Sequence, residues 1–409
     1  MNLNIVGAGF SGCITALNQK NLFDNINIFD YKNNIGGILN EIEFNDSFFL
    51  NGCQYLDVNT EWFKTLLSTN LFNFHEFNHS YSSYTNLEGY VNSSNNVAGP
   101  IFDINHFDLK LFKKKNTINS SIKENFDQYP ESIKKLLSKW FNNFKLNDKQ
   151  IHFLSLQSIQ LSRVFFNKNN NEIFNLKNNY KFLDDIIGVP RSFYTNKPLK
   201  AAIPFNGYNK FFKNLKNYLE DNHVKFYLRS NIKLLKGVDD YYFNNEKLKS
   251  NQLTLWAANP VPLISTLNLG KIQNPFIKVN LYHFNIISNV NSFDLFKYIQ
   301  VYSLEDPILR IYIYELDNHP KIVVEAFQTA DIGQINYSLN KILEHFNINI
   351  DYKFIFTSLQ IRHIFYTIED KKIFDKFSSN NSQIIPGAWD SYSRNDKIEK
   401  IGKNIEKIR

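Results

Sequence analysis

The feature that most constrains this chain is a glycine-rich turn that directly follows a short apolar strand near the N-terminus. Residues 3–6 (Leu-Asn-Ile-Val) predict the strand, and residues 7–12 read Gly-Ala-Gly-Phe-Ser-Gly. A helical pattern follows up to about Lys20, and a second apolar strand covers residues 25–29. A strand, turn, helix and strand in this order predict a doubly wound α/β fold with a parallel sheet.

The glycine spacing in this turn is that of a dinucleotide-binding motif. Gly7 permits the tight turn, Gly9 lets the backbone approach a pyrophosphate, and Gly12 lets the helix pack on the strand. The helix N-terminus offers free N–H groups to phosphates, and Asp30, 23 residues after Gly7, can accept hydrogen bonds from a ribose. The alternative is a glycine-rich turn without a ligand. The predicted site residues here are Gly7, Gly9, Phe10, Ser11, Gly12 and Asp30.

A second glycine-containing segment, with two adjacent glycines, follows the strand that ends at Asp30. Residues 33–39 read Asn-Asn-Ile-Gly-Gly-Ile-Leu. This arrangement resembles the glutathione-reductase-type FAD proteins, in the branch that contains amine oxidases, protoporphyrinogen oxidase, phytoene desaturases and UDP-galactopyranose mutase. The resemblance implies FAD as the cofactor, with NAD(P)H as a candidate reductant. It adds Tyr31, Gly36, Gly37 and Ile38 to the cofactor site; the alternative is a plain β-turn.

Four further segments are similar to elements of the UDP-galactopyranose mutase family. They are residues 204–208 (Pro-Phe-Asn-Gly-Tyr), 307–311 (Pro-Ile-Leu-Arg-Ile), 365–368 (Phe-Tyr-Thr-Ile) and 387–396 (Gly-Ala-Trp-Asp-Ser-Tyr-Ser-Arg-Asn-Asp). The resemblance implies a flavin-dependent mutase, or a related enzyme, that acts on a nucleotide-linked sugar. It implies catalytic roles for Arg310, Tyr366 and Tyr392, with Arg310 on the substrate diphosphate. It places Gly52, Gly387 and Asp396 at the cofactor.

Two features of the sequence depart from the mutase pattern, and the second of them suits the amine-oxidase branch better. Cys53 and Gln54 follow Gly52 where the mutases have a proline and a histidine, and about 55 residues separate Arg310 from Tyr366. That branch implies an FAD oxidoreductase of the amine oxidase or desaturase type, which takes a hydride from a small organic substrate. A third interpretation is a flavin-binding module without activity.

The candidate catalytic residues also have structural interpretations. Arg310 could pair across strands with Glu305 or Glu315, and Tyr392 could serve only in packing. Arg394 is either a flavin or substrate contact or is exposed to solvent. The isolated histidines are interpreted as structural or exposed rather than catalytic; they are His283, His345 and His363.

The remaining sequence predicts a discontinuous Rossmann-like domain, because the α/β pattern returns near residue 200. The segment before that point is rich in Asn, Lys, Phe and Tyr, with helical periodicity over 120–146 and 149–165. The segments after the second α/β stretch alternate or run apolar, which favours a mixed or antiparallel sheet. The predicted domains are an FAD-binding domain of residues 1–65, 200–262 and 370–409, a mainly helical insertion on the substrate side over 66–199, and a β-rich substrate domain over 263–369.

Composition excludes several classes of function. The formal net charge of +7 comes mostly from scattered lysines, and the densest run, Lys113–Lys115, is interpreted as a solvated loop, so we expect no nucleic-acid partner. Cys13 and Cys53 are too few for a disulfide framework or a four-thiolate zinc site, and no metal site is expected. No stretch reaches the ~18 apolar residues of a membrane span. We therefore expect a cytoplasmic enzyme with a small-molecule substrate, and the resemblance implies a homodimer.

Overall fold

The structure, a computed structural model, describes residues 1–95, 97–103, 111–112, 120–168, 170–191, 200–237, 240–290, 294–380 and 383–408; the lysine run at 113–115 lies outside them. The strands are β1 (Asn2–Val6), β2 (Asn25–Phe29), β3 (Ile42–Phe44), β4 (Ser47–Phe49), β5 (Leu56–Asp57), β6 (Phe74–Asn78), β7 (Ser80–Leu87), β8 (Tyr90–Asn95), β9 (Ile101–Phe102), β10 (Phe165–Phe166), β11 (Lys200–Pro204), β12 (Val224–Tyr227), β13 (Leu234–Lys236), β14 (Tyr241–Phe243), β15 (Glu246–Lys247), β16 (Gln252–Trp256), β17 (Phe276–Ile286), β18 (Lys297–Ser303), β19 (Ile308–Leu316), β20 (His319–Phe327), β21 (Tyr352–Ile364) and β22 (Ile384–Pro386). The helices are α1 (Phe10–Gln19), α2 (Glu61–Ser68), α3 (Ile122–Phe126), α4 (Glu131–Phe141), α5 (Asn170–Asn179), α6 (Gly207–Asp221), α7 (Pro260–Thr266), α8 (Ile332–His345), α9 (Ile368–Asn380) and α10 (Arg394–Ile408).

The chain divides into two compact units, each assembled from segments that are distant in sequence. The first unit contains Met1–Glu76, Ala201–Asn274 and Glu369–Arg409. The second contains Phe77–Lys200 and Pro275–Ile368.

The first unit is built on a parallel sheet with the strand order β12-β2-β1-β16-β22. Its central strand, β1, is buried because its apolar residues are covered on both faces, as parallel sheets require. Val6 at the end of β1 pairs with Phe29 of β2 and with Trp256 of β16. The three strands therefore end at one edge of the sheet, where the glycine-rich turn begins. This is the doubly wound arrangement that the sequence predicted.

Local signals set the elements around this sheet. Asn45 and Asp46 have φ values of 48° and 59° and form the hairpin turn between β3 and β4. Thr60 caps the start of α2, since its Oγ1 accepts a hydrogen bond from Phe63 N at 3.3 Å. Asn259 begins α7, because its Oδ1 accepts from Val261 N at 2.9 Å and caps the helix.

The second unit is built on a seven-stranded sheet with the order β21-β17-β20-β19-β18-β7-β8. Its recorded pairs are antiparallel except β18 with β7, so the sheet is mixed, as predicted. Helix α8 packs on one face, and Asp331 caps it in a capping box with Gln334. The core between helix and sheet contains Tyr84, Phe284, Ile299, Ile311, Val324, Ile335, Leu339 and Ile342.

Some predicted elements are wrong. The mainly helical interpretation of residues 66–199 fails over residues 74–95, which form strands β6, β7 and β8. Tyr, Ser and Asn occupy these strands, so they lack the apolar alternation that marks a strand in sequence. The helices predicted over 120–146 exist as α3 and α4, whereas 149–165 holds a 3-10 helix at Phe153–Ile159. Among the described residues, the helices are too short or too polar to cross a membrane.

Candidate dinucleotide-binding site

The glycine-rich turn is tightly packed at Gly7 and Gly12, whereas the space beside Gly9, between them, is open. Gly7 has φ +108°, and a Cβ on Gly12 would lie 2.0 Å from Gly7 O, so the turn and the helix touch backbone to backbone. At Gly9, by contrast, a Cβ would meet no described atom within 4 Å. The motif therefore leaves open space next to the backbone at its middle glycine, which is where a pyrophosphate would approach.

The second glycine pair is docked on the first motif. Gly36 N donates to Ala8 O at 2.8 Å, and Gly9 and Gly36 form a parallel bridge. A Cβ on Gly37 would lie 3.3 Å from Gly9 Cα. Two glycine-containing segments that are distant in sequence thus run side by side at the edge of the sheet.

Asp30 lies at the end of β2 with its carboxylate beside the turn. Its Oδ2 accepts from Ala8 N at 2.7 Å, and its Oδ1 accepts from Lys32 N at 2.8 Å. Each carboxylate oxygen has a second lone pair, so the half-buried group can also accept from a ribose hydroxyl. Nearby, Tyr31 is 73% exposed and Ile38 is 59% exposed.

Helix α1 begins at this site without a side-chain cap. Gly9 is its N-cap residue, no side chain bonds its first turn, and that turn holds no acidic residue. The Phe10 side chain is buried, with its ring centroid 5.2 Å from that of Trp62, so at this position only the backbone is available to a ligand. Ser11 is half-buried in the first turn. An uncapped helix start of this kind suits an anion, since its N–H groups and dipole favour negative charge.

A second loop of the first unit is held by an arginine. Gln54 is 3% exposed, and its Oε1 accepts from Arg394 Nη1 at 2.9 Å. Arg394 Nη2 also donates to Tyr55 O. Gly52 precedes this loop with φ +90°. The arginine at the start of α10 therefore holds Gln54 and Tyr55 in place. The sequence did not indicate this contact.

The other predicted residues of this unit lie near the same elements. Gly387 packs on the end of β16, where a Cβ would lie 2.3 Å from Trp256 O. Tyr392 is half-buried just before α10, and Asp396 lies in the first turn of that helix, two residues after its start.

Arg310 and Tyr366 belong to the second unit. Arg310 Nε donates to Gln300 Oε1 at 3.1 Å, and its Nη2 donates to Ser158 O. Its Nη1 lies 3.6 Å from Glu325 Oε2, and the two residues pair across β19 and β20. The acidic cross-strand partner is thus Glu325 rather than Glu305 or Glu315. Tyr366 is buried beside His152, with ring centroids 5.6 Å apart.

Two buried histidines of the second unit, His283 and His363, serve packing. His283 stacks on Phe356, and burial lowers its pKa to about 3. Burial likewise lowers the pKa of His363 to about 3, and its Nδ1 lies 3.0 Å from Ser158 O. Both rings are therefore neutral at pH 7. Within the described residues, no three His, Cys, Asp or Glu side chains are grouped to hold a metal ion.

The second unit also holds an open cleft of about 970 Å³. It lies between α8, the start of β17 and the turns at 304–307 and 327–330. Neither Arg310 nor Tyr366 lines it. The cleft is therefore separate from the residues predicted to act in catalysis.

Comparison with known proteins extends the argument from local geometry to the fold. No protein-family model matches the sequence, and no curated protein is significantly similar to it. Among solved structures, the chain is similar to a reduced UDP-galactopyranose mutase, at 11% identity with a TM-score of 0.65, over 100% of this chain and 93% of that chain. It is also similar to a putative protoporphyrinogen oxidase from Exiguobacterium sp. 255-15, at 10% identity with a TM-score of 0.61, over 100% of this chain and 98% of that one.

A putrescine oxidase variant gives 10% identity and a TM-score of 0.59, over 100% of this chain and 98% of the other. Similarity at these identities defines the fold and nothing finer. The chain has the fold of these three proteins, with a parallel sheet in one unit and a mixed sheet in the other. The predicted fold class is confirmed.

Proposed function

We propose that this chain is an FAD-dependent enzyme whose cofactor lies across the carboxyl edge of the parallel sheet. The observation that carries the proposal is the open space at Gly9, between Gly7 and Gly12, where added Cβ atoms would clash with backbone. A bare backbone beside open space at an uncapped helix start fits a pyrophosphate.

The residues of the first unit have defined roles in this proposal. The N–H groups at the start of α1 bind the pyrophosphate, and Asp30 accepts from a ribose hydroxyl. Gly36 and Gly37 bring a second backbone segment alongside, and Tyr31 and Ile38 offer exposed side chains. The loop at Gly52, the turn at Gly387 and the α10 start at Asp396 complete the site. A bound flavin supplies hydride-transfer and nucleophilic chemistry.

Flavin content after purification tests the cofactor. The protein should be yellow and release FAD on denaturation. Gly9→Leu fills the open space and should abolish FAD binding. Gly402→Leu is the matched control, because a Cβ on Gly402 in α10 also meets no described atom within 4 Å. Retention of FAD by Gly9→Leu, or a colourless wild-type protein that binds NADH, would exclude the proposed site.

The first candidate activity is a mutase reaction on a nucleotide-linked sugar. The similarity to the reduced mutase along the whole chain supports it. Arg310 supports it too, since a guanidinium on a sheet strand can hold phosphate oxygens from a fixed position. Tyr366 and Tyr392 would add contacts to the substrate in this reaction.

The second candidate is net oxidation of a small organic molecule: the substrate would give a hydride to the oxidised flavin, and an electron acceptor would then reoxidise the reduced flavin. Two observations favour it. Two nitrogens of Arg310 already donate to Gln300 and Ser158, which leaves fewer N–H groups for a diphosphate. Gln54 occupies the position of the mutase histidine and is bound to Arg394.

One titration separates the two activities. UDP-sugars are added to the protein with its flavin oxidised and with its flavin reduced by dithionite, and the flavin spectrum is followed. Micromolar binding that Arg310→Ala weakens at least tenfold supports the mutase, provided that Arg191→Ala, which removes a guanidinium paired with Asp184, leaves the binding unchanged. No spectral response to any UDP-sugar excludes the mutase and leaves the oxidase reaction.

A further inference from the structure

An asparagine at the start of α10 joins elements of the first unit that are distant in sequence. Asn395 Oδ1 accepts from Trp62 Nε1 at 3.0 Å, and Asn395 Nδ2 donates to Asp57 Oδ2 at 2.7 Å. Trp62 belongs to α2, and Asp57 is the last residue of β5. One amide side chain therefore ties α2 and β5 to α10, and both its oxygen and its nitrogen take part.

The indole of Trp62 extends this connection to the glycine-rich turn. Trp62 is 4% exposed and lies edge-on to the Phe10 ring, with ring centroids 5.2 Å apart. Phe10 is the first residue of α1 and directly follows Gly9. The start of α1, where the pyrophosphate would lie, is therefore connected to the start of α10 through Phe10, Trp62 and Asn395.

The carboxylate of Asp57 extends the connection to the loop after Gly52. Asp57 lies three residues after Gln54, which accepts from Arg394 Nη1 at 2.9 Å. Burial raises the pKa of Asp57, and the Arg394 guanidinium and then the Asn395 amide oppose that rise. Two neighbouring residues at the start of α10 therefore hold this loop at two points, and both stabilise the charged form of its carboxylate.

We propose that Asn395 is a positioning residue for the flavin. It fixes the loop after Gly52 and the start of α10 relative to the turn at Gly9, so that three segments of the cofactor site are in place before FAD binds. Such preorganisation lowers the cost of binding, because the segments are already ordered by the side chains behind them. Asn395 acts through these segments and not by contact with the cofactor, and the inference rests on the proposed function.

The junction requires a hydrogen-bond donor opposite Asp57. Asn395→Asp keeps an acceptor for Trp62, but it removes the donor and sets two carboxylates against each other. Exchange of the pair, Asp57→Asn with Asn395→Asp, reverses donor and acceptor, keeps the acceptor for Trp62 and leaves the net charge of wild type. Asn395→Gln keeps both polar groups and moves them by one methylene group, without facing carboxylates.

FAD titration of the flavin-free, full-length chain measures the effect of these variants. Asn395→Asp should weaken FAD binding by about tenfold or more, equivalent to the loss of one hydrogen bond to a charged group. The exchanged pair should return the affinity to within about threefold of wild type, and Asn395→Gln should lie between the two. If the facing carboxylates prevent Asn395→Asp from folding, as far-UV circular dichroism would show, Asn395→Gln carries the test.

Asn222→Ala is the matched control in the same unit. It removes an asparagine that accepts from Lys20 Nζ at 3.1 Å and donates to Tyr218 O at 2.7 Å at the end of α6. It should leave FAD affinity unchanged. The visible circular dichroism of the bound flavin reports how its ring is held, so at saturating FAD it should change in Asn395→Asp and not in Asn222→Ala.

Wild-type affinity in the Asn395 variants overturns the inference and leaves the proposed cofactor intact. An equal loss of affinity in Asn222→Ala, or no recovery in the exchanged pair, also overturns it, because the effect would then not depend on this junction. A wild-type chain that binds no FAD overturns the proposed function and this inference with it, and that result is seen before any substitution is made.

Discussion

Glu41 caps the N-terminus of helix α6, although 167 residues separate it from Tyr208 along the chain. Its Oε1 accepts from Tyr208 N at 2.7 Å, and its Oε2 accepts from Asn209 N at 3.3 Å. In return, Asn209 Oδ1 accepts from Glu41 N at 3.1 Å. The segment 204–208, which resembles the helix entry of the mutases, is thus held by a carboxylate from the start of the β3–β4 hairpin. A carboxylate at this end of a helix also complements the helix dipole.

Replacement of Glu41 by alanine should therefore destabilise the protein by about 1–2 kcal/mol, since two N–H groups lose their acceptor and the helix dipole loses its counter-charge. Glu41→Gln should recover part of the loss because an amide oxygen still accepts one bond. Urea unfolding at pH 7 measures both. Glu43→Ala is the control, because Glu43 is exposed two residues away. Equal stability of the Glu41 and Glu43 variants would show that the cap contributes nothing.

Removal of Arg394 should make stability more sensitive to pH. Burial raises the pKa of Asp57 above its usual value of 3.8, and the Arg394 guanidinium partly opposes that rise. Without the arginine the pKa of Asp57 rises further, so the folded state holds its proton to higher pH. Ionisation then costs more stability as pH increases through that raised pKa. The loss of stability in Arg394→Ala relative to wild type should grow from pH 4 to pH 7.

Melting temperatures across this pH range test the prediction. A second variant, Arg394→Ala with Asp57→Asn, should lose the added pH dependence, because the titrating carboxylate is gone. The hydrogen bonds from Arg394 to the uncharged groups of Gln54 and Tyr55 contribute at every pH. Both variants should therefore keep a pH-independent loss of unfolding free energy of about 1–3 kcal/mol relative to wild type. If the difference in stability between Arg394→Ala and wild type does not change with pH, the electrostatic explanation is contradicted.

Stability should fall on acidification partly through His283. Burial, followed by the charges of Arg362 and Lys321, lowers the pKa of this ring from 6.5 to about 3 in the folded state. The unfolded chain binds the proton below pH 6.5 while the folded chain does not, so stability is lost as pH falls from 6.5 toward 3. The loss is about 2 kcal/mol between pH 6.5 and pH 5.

His283→Asn removes this titration and keeps a polar group beside Ser358, to which the ring now bonds at 3.3 Å. The variant should be less stable than wild type at pH 7, but its stability should decline less steeply down to pH 5. Chemical unfolding at several pH values measures the two slopes. Parallel slopes would show that the ring is protonated in the folded protein.

The parts of the molecule that sequence reasoning could predict are those with local physical signals. The turn at Gly7 and Gly9 was recognisable because glycine spacing, a following helix and Asp30 all lie within one short stretch. The strands β17 to β20 were predicted because their apolar runs are buried on both faces of the sheet.

The parts that sequence reasoning missed depend on partners that are distant in the chain. Strand β21 was not predicted because its residues other than His363 are half-buried or exposed, so its pattern lacks a buried face. The partner of Arg310 was assigned to Glu305 or Glu315, since the register that brings Glu325 opposite is fixed only when β19 and β20 pair. The bond between Arg394 and Gln54 spans 340 residues, and neither residue carries a local sign of it.

Among the carboxylates of the second unit, Asp306 should be the one whose replacement lowers the stability of the protein most. It is 5% exposed, and it accepts from Ser303 Oγ at 2.8 Å, from Ser338 Oγ at 2.9 Å and from Lys341 Nζ at 3.2 Å. These bonds hold α8 on the sheet, since Ser338 and Lys341 belong to that helix. Asp306→Ala leaves two buried hydroxyls without their acceptor and should cost about 3 kcal/mol.

Urea unfolding at pH 7 measures this loss, and Glu305→Ala provides the control. The Glu305 side chain is 69% exposed and lies 3.6 Å from the same lysine, so its removal should change stability by less than about 1 kcal/mol. Asp306→Asn should fall between the two, because an amide oxygen still accepts from one serine while the charge opposite Lys341 is lost. If Asp306→Ala is no more destabilising than Glu305→Ala, the network does not anchor α8, and the apolar core beneath the helix holds it alone.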